Sequence, residues 1–405
     1  MKAMMTQRSD LTFKHNLKQG RHGWLRLTPA YSVKVVQDVL ERVGKPERVL
    51  DPFSGTGTTG LVCAERGITC DLVELNPFLV WFAQAKTRNY TTAELNDAAE
   101  LGHAAAKQAR ENVPIDNLWI PPIHHIERWW TPDRLTTLAR LFHPLRSAEK
   151  SPALDLVLIA FCRVAINWSY AAFNHQSMSF KEAQTTLFPQ DERDLIIDDF
   201  LSYVQQIMTA AKQPLSGNII VYNGDSRSVH TVVPARYDCV ITSPPYPNRM
   251  SYIRELRPYM YWLGYLNEAR EAGDLDWETI GGTWGIATSR LAQWTPNGAA
   301  IDHDRFDDII RHIAQESPLL ANYVHKYFSD MSAHFASLTH LLAPGAQLFY
   351  IVGNSKFYGT LVPVEEIYAN LMRQCGLRNV KTELLRKRNS KKELYEFIIS
   401  GMAGS

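Results

Sequence analysis

Cysteine is scarce and dispersed in this chain. Its five residues, Cys63, Cys70, Cys162, Cys239 and Cys375, form no CxxC pair and keep no histidine at ligand spacing. That pattern argues against a metal site and reads them as reduced core residues. An excess of either charge is missing as well: 43 Lys and Arg stand against 42 Asp and Glu, a formal net charge of +1. This balance neither requires nor excludes a nucleic-acid partner, and any binding face must come from uneven charge distribution. No apolar run reaches membrane-spanning length and no leader pattern opens the chain, so a cytoplasmic protein is expected. Length is what the chain does have: 405 residues are enough for a sizeable core and two or more domains.

The most informative stretch is Thr242-Ser243-Pro244-Pro245-Tyr246, directly after the apolar run 237–241. Two prolines stiffen the turn and fix its backbone direction. Ser243 and the Pro244 carbonyl supply two acceptors, and Tyr246 supplies a ring face. An exocyclic amino nitrogen is a poor nucleophile because its lone pair is delocalised into the base. Acceptors that hold both N–H bonds favour a pyramidal nitrogen, and an aromatic ring can receive a base taken out of its stack. The plainer alternative is a strand end running into a proline turn.

A second motif lies far upstream. Residues 49–60 read as a buried strand, a glycine turn through Gly55 and Gly57, and a helix start at Thr58 or Thr59. Glycines let a backbone approach a ligand closely, and a helix start turns its amides toward it. Residues 70–77 then read as a second strand ending in Glu74. An acid about 20 residues after a glycine turn is where nucleotide folds bind a ribose diol, so Glu74 is the ribose candidate.

Together these motifs resemble the S-adenosylmethionine-dependent DNA amino-methyltransferases. Asp51-Pro52-Phe53-Ser54-Gly55-Thr56-Gly57 is similar to the family's cofactor motif, and Ser243-Pro244-Pro245-Tyr246 to its catalytic motif in the form typical of cytosine-N4 enzymes. Adenine-N6 enzymes more often carry Asp or Asn where Ser243 stands. The resemblance implies a cofactor site built from Asp51, Pro52, Phe53, Gly55, Gly57 and Thr58, with Glu74 and Leu75 on the second strand. It further places segment 22–31, with Thr28, near the methionine moiety, and Asp225 and Ser226 at the turn that holds the adenine amino group.

The two principal motifs stand about 190 residues apart, where a bare alternating sheet at roughly 30 residues per unit needs about half that. An insertion between the second and third strands is therefore expected. Its Trp119, Trp129 and Trp130 read more readily as packing than as base contacts. The adjacent His124 and His125 diverge too much to grip one metal. Segment 167–180, with Asn174, His175 and Gln176, mixes amides, hydroxyls and aromatics in a way suited to base edges, or equally to a capped surface loop. Arg249 follows the catalytic motif closely enough to clamp a phosphate. Near the C-terminus, 386–392 holds five basic residues in seven. Arg388, Lys391 and Lys392 within it are candidates for phosphate contact.

The expected fold is a doubly wound α/β sheet of the Rossmann-like class I methyltransferase type with a mainly helical insertion. The expected division is 1–90 (first core part), 91–214 (helical insertion, candidate DNA-recognition region) and 215–405 (second core part, with an inserted segment at about 247–320). The implied reaction moves a methyl group from S-adenosylmethionine to N4 of cytosine in double-stranded DNA with a flipped target base, in a restriction-modification or epigenetic setting, without a metal. An adenine-N6 or RNA amino-methyltransferase, or a non-catalytic nucleic-acid-binding protein of the same fold, is the alternative.

Overall fold

The structure, a computed structural model, describes residues 9–27, 30–111, 115–172, 179–181, 189–249, 251–283, 286–296, 300–388 and 393–404. In chain order the strands are β1 (Arg48–Asp51), β2 (Thr69–Glu74), β3 (Ala171–Ala172), β4 (Ser179–Phe180), β5 (Ile219–Asn223), β6 (Tyr237–Thr242), β7 (Leu342–Gly353), β8 (Ser355–Phe357), β9 (Thr360–Val362), β10 (Arg378–Lys387) and β11 (Tyr395–Met402).

Seven of them form one sheet in the order β10-β11-β7-β6-β1-β2-β5. The five strands from β7 to β5 are parallel, and β11 and β10 run antiparallel at the edge. Side chains alternate along the strands and both faces are buried, as parallel sheets require. Val240, Leu348, Tyr350 and Val352 face the helices Pro318–Thr339 and Val364–Gln374. Cys239, Ile241, Phe349 and Ile351 face the helices Val33–Val43 and Thr58–Glu65. This is the α/β Rossmann-like methyltransferase fold. Strand order reverses at β1, which has β2 on one side and β6 on the other, so a crevice opens at the carboxyl ends of β1 and β6.

Between β2 and β5 the chain builds a helical layer: Pro77–Thr87, Thr92–Arg110, Pro132–Ser147, Pro152–Asn167 and Pro189–Ala211. Four helices start on a capping side chain followed by proline, at Asn76-Pro77, Thr131-Pro132, Ser151-Pro152 and Ser317-Pro318. The cap accepts an otherwise unpaired helix amide, and proline at the first position lacks a donor that would go unused. This layer shares a core with the helix Tyr252–Trp262 that follows the Ser-Pro-Pro-Tyr segment. Trp262 packs edge-on against Trp119, Trp130 and Phe161. Trp129 and Trp130 are fully buried, and each such ring pair adds about 0.5–1.5 kcal/mol beyond its burial.

One arginine stitches the N-terminal segment to this layer. The Arg21 guanidinium, 3 % exposed, donates to the carbonyls of Lys86, Arg88, Ala210, Ala211 and Gln213. It thereby joins the N-terminal segment, the helix after β2 and the last helix before β5. The β8–β9 hairpin has only two turn residues, and β7 runs from Leu342 to Gly353.

Candidate active site

The cofactor-motif loop leaves β1 at Asp51. Gly55 and Gly57 take positive φ angles of 49° and 71°, a region that glycine enters without strain. A Cβ at Gly57 would sit 3.0 Å from the Cβ of Ala83, so the loop closes tightly on the helix Pro77–Thr87, whereas a Cβ at Gly55 meets nothing within 4 Å. Glu74, at the end of β2, accepts from the Gly55 N–H at 2.9 Å and the Asn76 N–H at 2.8 Å. Burial pushes its pKa up to about 7, opposed by those amides and aided by Asp51. From behind, the buried Lys86 ammonium donates to the Thr56 carbonyl at 2.7 Å. Burial lowers its pKa to about 7.

Asp51 joins the two loops from inside. It is fully buried, and its oxygens accept from the Phe53 N–H, the Thr59 and Thr242 hydroxyls and, at 3.5 Å, Tyr31. Tyr31 also hydrogen-bonds Thr59. Burial raises the Asp51 pKa to about 6, and the hydroxyl and amide donors resist the rise. The 2.6 Å bond from Thr242 ties the end of β6 to the end of β1, so Asp51 braces the cofactor loop against the residue preceding Ser243.

Pro52 and Thr58 are buried with this loop, while Leu75 is partly buried and lends its carbonyl to the Asn223 amide. Phe53 is partly buried and meets the His334 ring edge-on at 4.7 Å between centroids. His334 is buried and its pKa falls to about 4, chiefly by desolvation, so the ring is neutral. Its Nδ1–H donates to the Ser226 carbonyl at 2.9 Å, leaving Nε2 to accept from the Tyr350 hydroxyl at 2.6 Å. Asp225 is engaged by Arg227, whose Nε and Nη2 contact Oδ2 at 2.8 and 2.6 Å. Thr28 lies outside the described residues, as do Asn174, His175, Gln176, Lys391 and Lys392.

The catalytic-motif loop is held by side chains remote in sequence. Ser243 donates its hydroxyl proton to the Ile351 carbonyl at 3.1 Å, which leaves its lone pairs to accept. Tyr327 donates to the Pro245 carbonyl at 2.8 Å. Its one proton is thereby used, so Tyr368 is the donor in the 2.6 Å bond between the two hydroxyls. Among the described residues no hydrogen bond ends on the Pro244 carbonyl. The Tyr252 hydroxyl oxygen accepts the Tyr246 N–H at 3.3 Å, and the Tyr323 hydroxyl oxygen accepts the Arg249 N–H at 3.2 Å. The latter bond fixes Arg249 in a left-handed conformation, φ 63°.

Tyr246 donates to Glu396 at 2.9 Å, and Glu396 is clamped by Arg386. Arg388 lies over the Tyr246 ring, 5.2 Å from its centroid, and donates to the Asn354 carbonyl at 2.8 Å. A Cβ on Gly353 would come within 2.9 Å of the Tyr246 ring, so glycine there permits the close approach. Two of the five basic residues read as a phosphate footprint thus turn toward the catalytic loop. Of the supporting residues, Tyr252, Tyr323, Tyr327, Tyr368, Glu396, Asn354 and Lys86 carry no motif of their own. Their only signal in the sequence is residue type: tyrosines on otherwise apolar helix faces and a lysine on the buried side of a helix.

No family model matches the chain. Over 281 residues it is 24% identical to Type II methyltransferase M.AvaI of Nostoc sp. (strain PCC 7120 / SAG 25.82 / UTEX 2576), a match covering 64% of this chain and 57% of that protein. The protein of the same name from Anabaena variabilis matches to the same extent. The match therefore spans little more than half the length of these relatives. Type II methyltransferase M.BsoBI of Geobacillus stearothermophilus is 20% identical over 444 aligned positions, covering 96% of this chain and 85% of that one. Two solved structures of the rRNA methyltransferase aviRa from Streptomyces viridochromogenes superpose with TM-scores of 0.31 and 0.30 at 11% and 13% identity, over 96% and 98% of this chain and 96% and 94% of theirs. Similarity at that level carries no weight for function.

Proposed function

We propose that this chain is a DNA methyltransferase that moves the methyl group of S-adenosylmethionine to the N4 amino nitrogen of cytosine. The observation that carries the reading is the joining of two loops at one crevice. The glycine loop after β1 and the Ser-Pro-Pro-Tyr loop after β6 leave neighbouring parallel strands at the point where strand order reverses, and Asp51 bonds to Thr242 between them. A donor held by the first loop then faces an acceptor held by the second. The naming of its relatives as Type II methyltransferases supports the same reading.

The cofactor site fits the residues present. Open space above Gly55, the partly buried Glu74 carboxylate at the end of β2 and the Phe53 ring give a backbone cradle, a diol acceptor and an apolar wall. S-adenosylmethionine supplies the electrophilic methyl group when bound. In the acceptor site, Ser243 is oriented by Ile351 to accept one amino hydrogen, and the Pro244 carbonyl accepts the other. Withdrawing both hydrogens toward acceptors turns the nitrogen lone pair out of the ring and toward the methyl group. Tyr246, anchored through Glu396, stacks on the base once Arg388 yields the ring face. The amino proton becomes acidic only after transfer, so solvent can take it and no strong general base is needed. Lys391 and Lys392 hold backbone phosphates, and Asn174, His175 and Gln176 serve base recognition within the inserted region 91–214.

Incubation with labelled S-adenosylmethionine and unfractionated double-stranded DNA, with RNA in parallel, tests the substrate. Label in DNA is expected. Label confined to RNA, or in neither, contradicts the proposal.

A further inference from the structure

A cleft of about 360 Å³ opens beside the catalytic loop, between the corner at Asn248 and Arg249 and the β8–β9 hairpin. The hairpin springs from the carboxyl end of β7, the strand beside β6, so it stands on the catalytic rim of the sheet. Its tip is Tyr358-Gly359, with φ angles of 45° and 94°, as a two-residue hairpin turn requires. Tyr358 is 60% exposed, the most exposed large hydrophobic side chain among the described residues. An aromatic ring held out on a short rigid turn beside a reaction site has little to do in packing.

The rest of the lining is chemically consistent. Arg249 and Lys356 bring positive charge to the rim, and Asn354, nearly buried, lines the wall. The Lys356 pair with Glu393 joins two partly exposed groups, an arrangement worth little on a surface, so the ammonium can exchange it for a phosphate at small cost. Arg388 belongs to both places: it lies over the Tyr246 ring and lines the cleft. Ser243 and Pro244 do not line it. The cleft is therefore next to the target-base position rather than the same site. Its volume suits one small-ligand unit, at the low end of the roughly 300–1,000 Å³ usual for such sites, and is far too small for a duplex.

Resting on the proposed function, we infer that this cleft seats the nucleotide adjacent to the target on the same DNA strand. Its base stacks on Tyr358 and its phosphate meets Arg249 and Lys356. Arg388 marks the boundary between target and neighbour, so movement of that one side chain off Tyr246 admits the target while keeping a cation at the phosphate between them. The enzyme then reads a neighbour as well as a target, and substrate preference at that flanking position originates here.

The test pairs a protein change with a DNA change. Wild type, Tyr358→Ala and Tyr358→Phe are compared in binding a methylatable duplex and duplexes in which the nucleotide on one or the other side of the target is abasic. Base stacking on an aromatic side chain leads one to expect at least about fivefold weaker binding from Tyr358→Ala or from the abasic change on one side. The two changes together should cost no more than either alone, and Tyr358→Phe should bind as wild type. Calorimetry with S-adenosylhomocysteine should give equal cofactor affinity for all three proteins, which excludes misfolding. Losses that multiply, or a Tyr358→Ala protein that binds and methylates intact DNA normally, overturn the inference while leaving the proposed function in place. A wild-type protein that binds S-adenosylhomocysteine but neither binds nor methylates DNA overturns both.

Discussion

The two loops that meet at the ends of β1 and β6 are held by opposite means. The cofactor loop is shaped by its own backbone: two glycines at positive φ, a helix start, and supports from Glu74 and Lys86, 19 and 30 residues from their bonding partners. The catalytic loop has no glycine and is fixed by a scaffold of side chains. Tyr323, Tyr327 and Glu396 reach it from 74, 82 and 150 residues away. A loop that wraps a cofactor needs amides exposed and side chains absent. A loop that must place a hydroxyl, a carbonyl and a ring around one nitrogen needs its backbone pinned from outside. Asp51 bonds to both regions, through Phe53 on one and Thr242 on the other.

This division implies that the loops fail separately. The largest effect is expected from Glu74→Ala: loss of a charged hydrogen-bond partner should weaken cofactor binding by about 2 kcal/mol or more, close to thirtyfold. Calorimetry with S-adenosylhomocysteine checks this, and unchanged affinity removes Glu74 from the ribose role. Next in size, Ser243→Ala and Tyr246→Ala should each lower turnover on double-stranded DNA at least about tenfold, or about 1.4 kcal/mol in the barrier, with cofactor affinity near normal. Equal loss of cofactor affinity would break the comparison. A smaller effect tests the scaffold itself. Tyr327→Phe removes the donor to the Pro245 carbonyl and should cost roughly 1 kcal/mol, about fivefold in turnover, again without touching cofactor affinity.

The smallest effect is a pH dependence. Burial raises the Glu74 pKa to about 7, so the carboxyl is protonated below that pH and charged above it. A ribose diol donates its hydroxyl protons and prefers the charged form. Cofactor affinity should therefore rise as pH increases through about 7 and level off above it. Lys86 titrates in the same range, so the profile should be compared with that of Glu74→Gln. A flat profile in Glu74→Gln assigns the dependence to Glu74, and a persistent one assigns it to Lys86.

The same contrast explains what the sequence made legible. The glycine turn, Glu74 and the Ser-Pro-Pro-Tyr segment are contiguous or nearly so, and their chemistry can be read from spacing. The helix Val33–Val43 and the strand β6 follow from apolar periodicity alone. Tyr327 and Glu396 could not be found that way, because nothing in their neighbourhoods distinguishes a residue aimed at Pro245 or Tyr246 from an ordinary interface residue. Asp51 was legible as part of the cofactor motif, but its bonds to Thr59 and Thr242 were not, because Thr242 lies 191 residues away. Arg388 was read as a phosphate contact, and the structure sets it over the Tyr246 ring, a consequence of β11 returning beside β7.

Identification of the modified nucleoside tests the central claim most directly. DNA methylated by this protein is digested to nucleosides and separated by mass. N4-methylcytosine is the product the proposed function predicts, because Ser243 stands where adenine-N6 enzymes more often carry Asp or Asn. N6-methyladenine as the sole product would contradict the cytosine assignment, and a methyl group on ring carbon would contradict the amino-methylation chemistry itself.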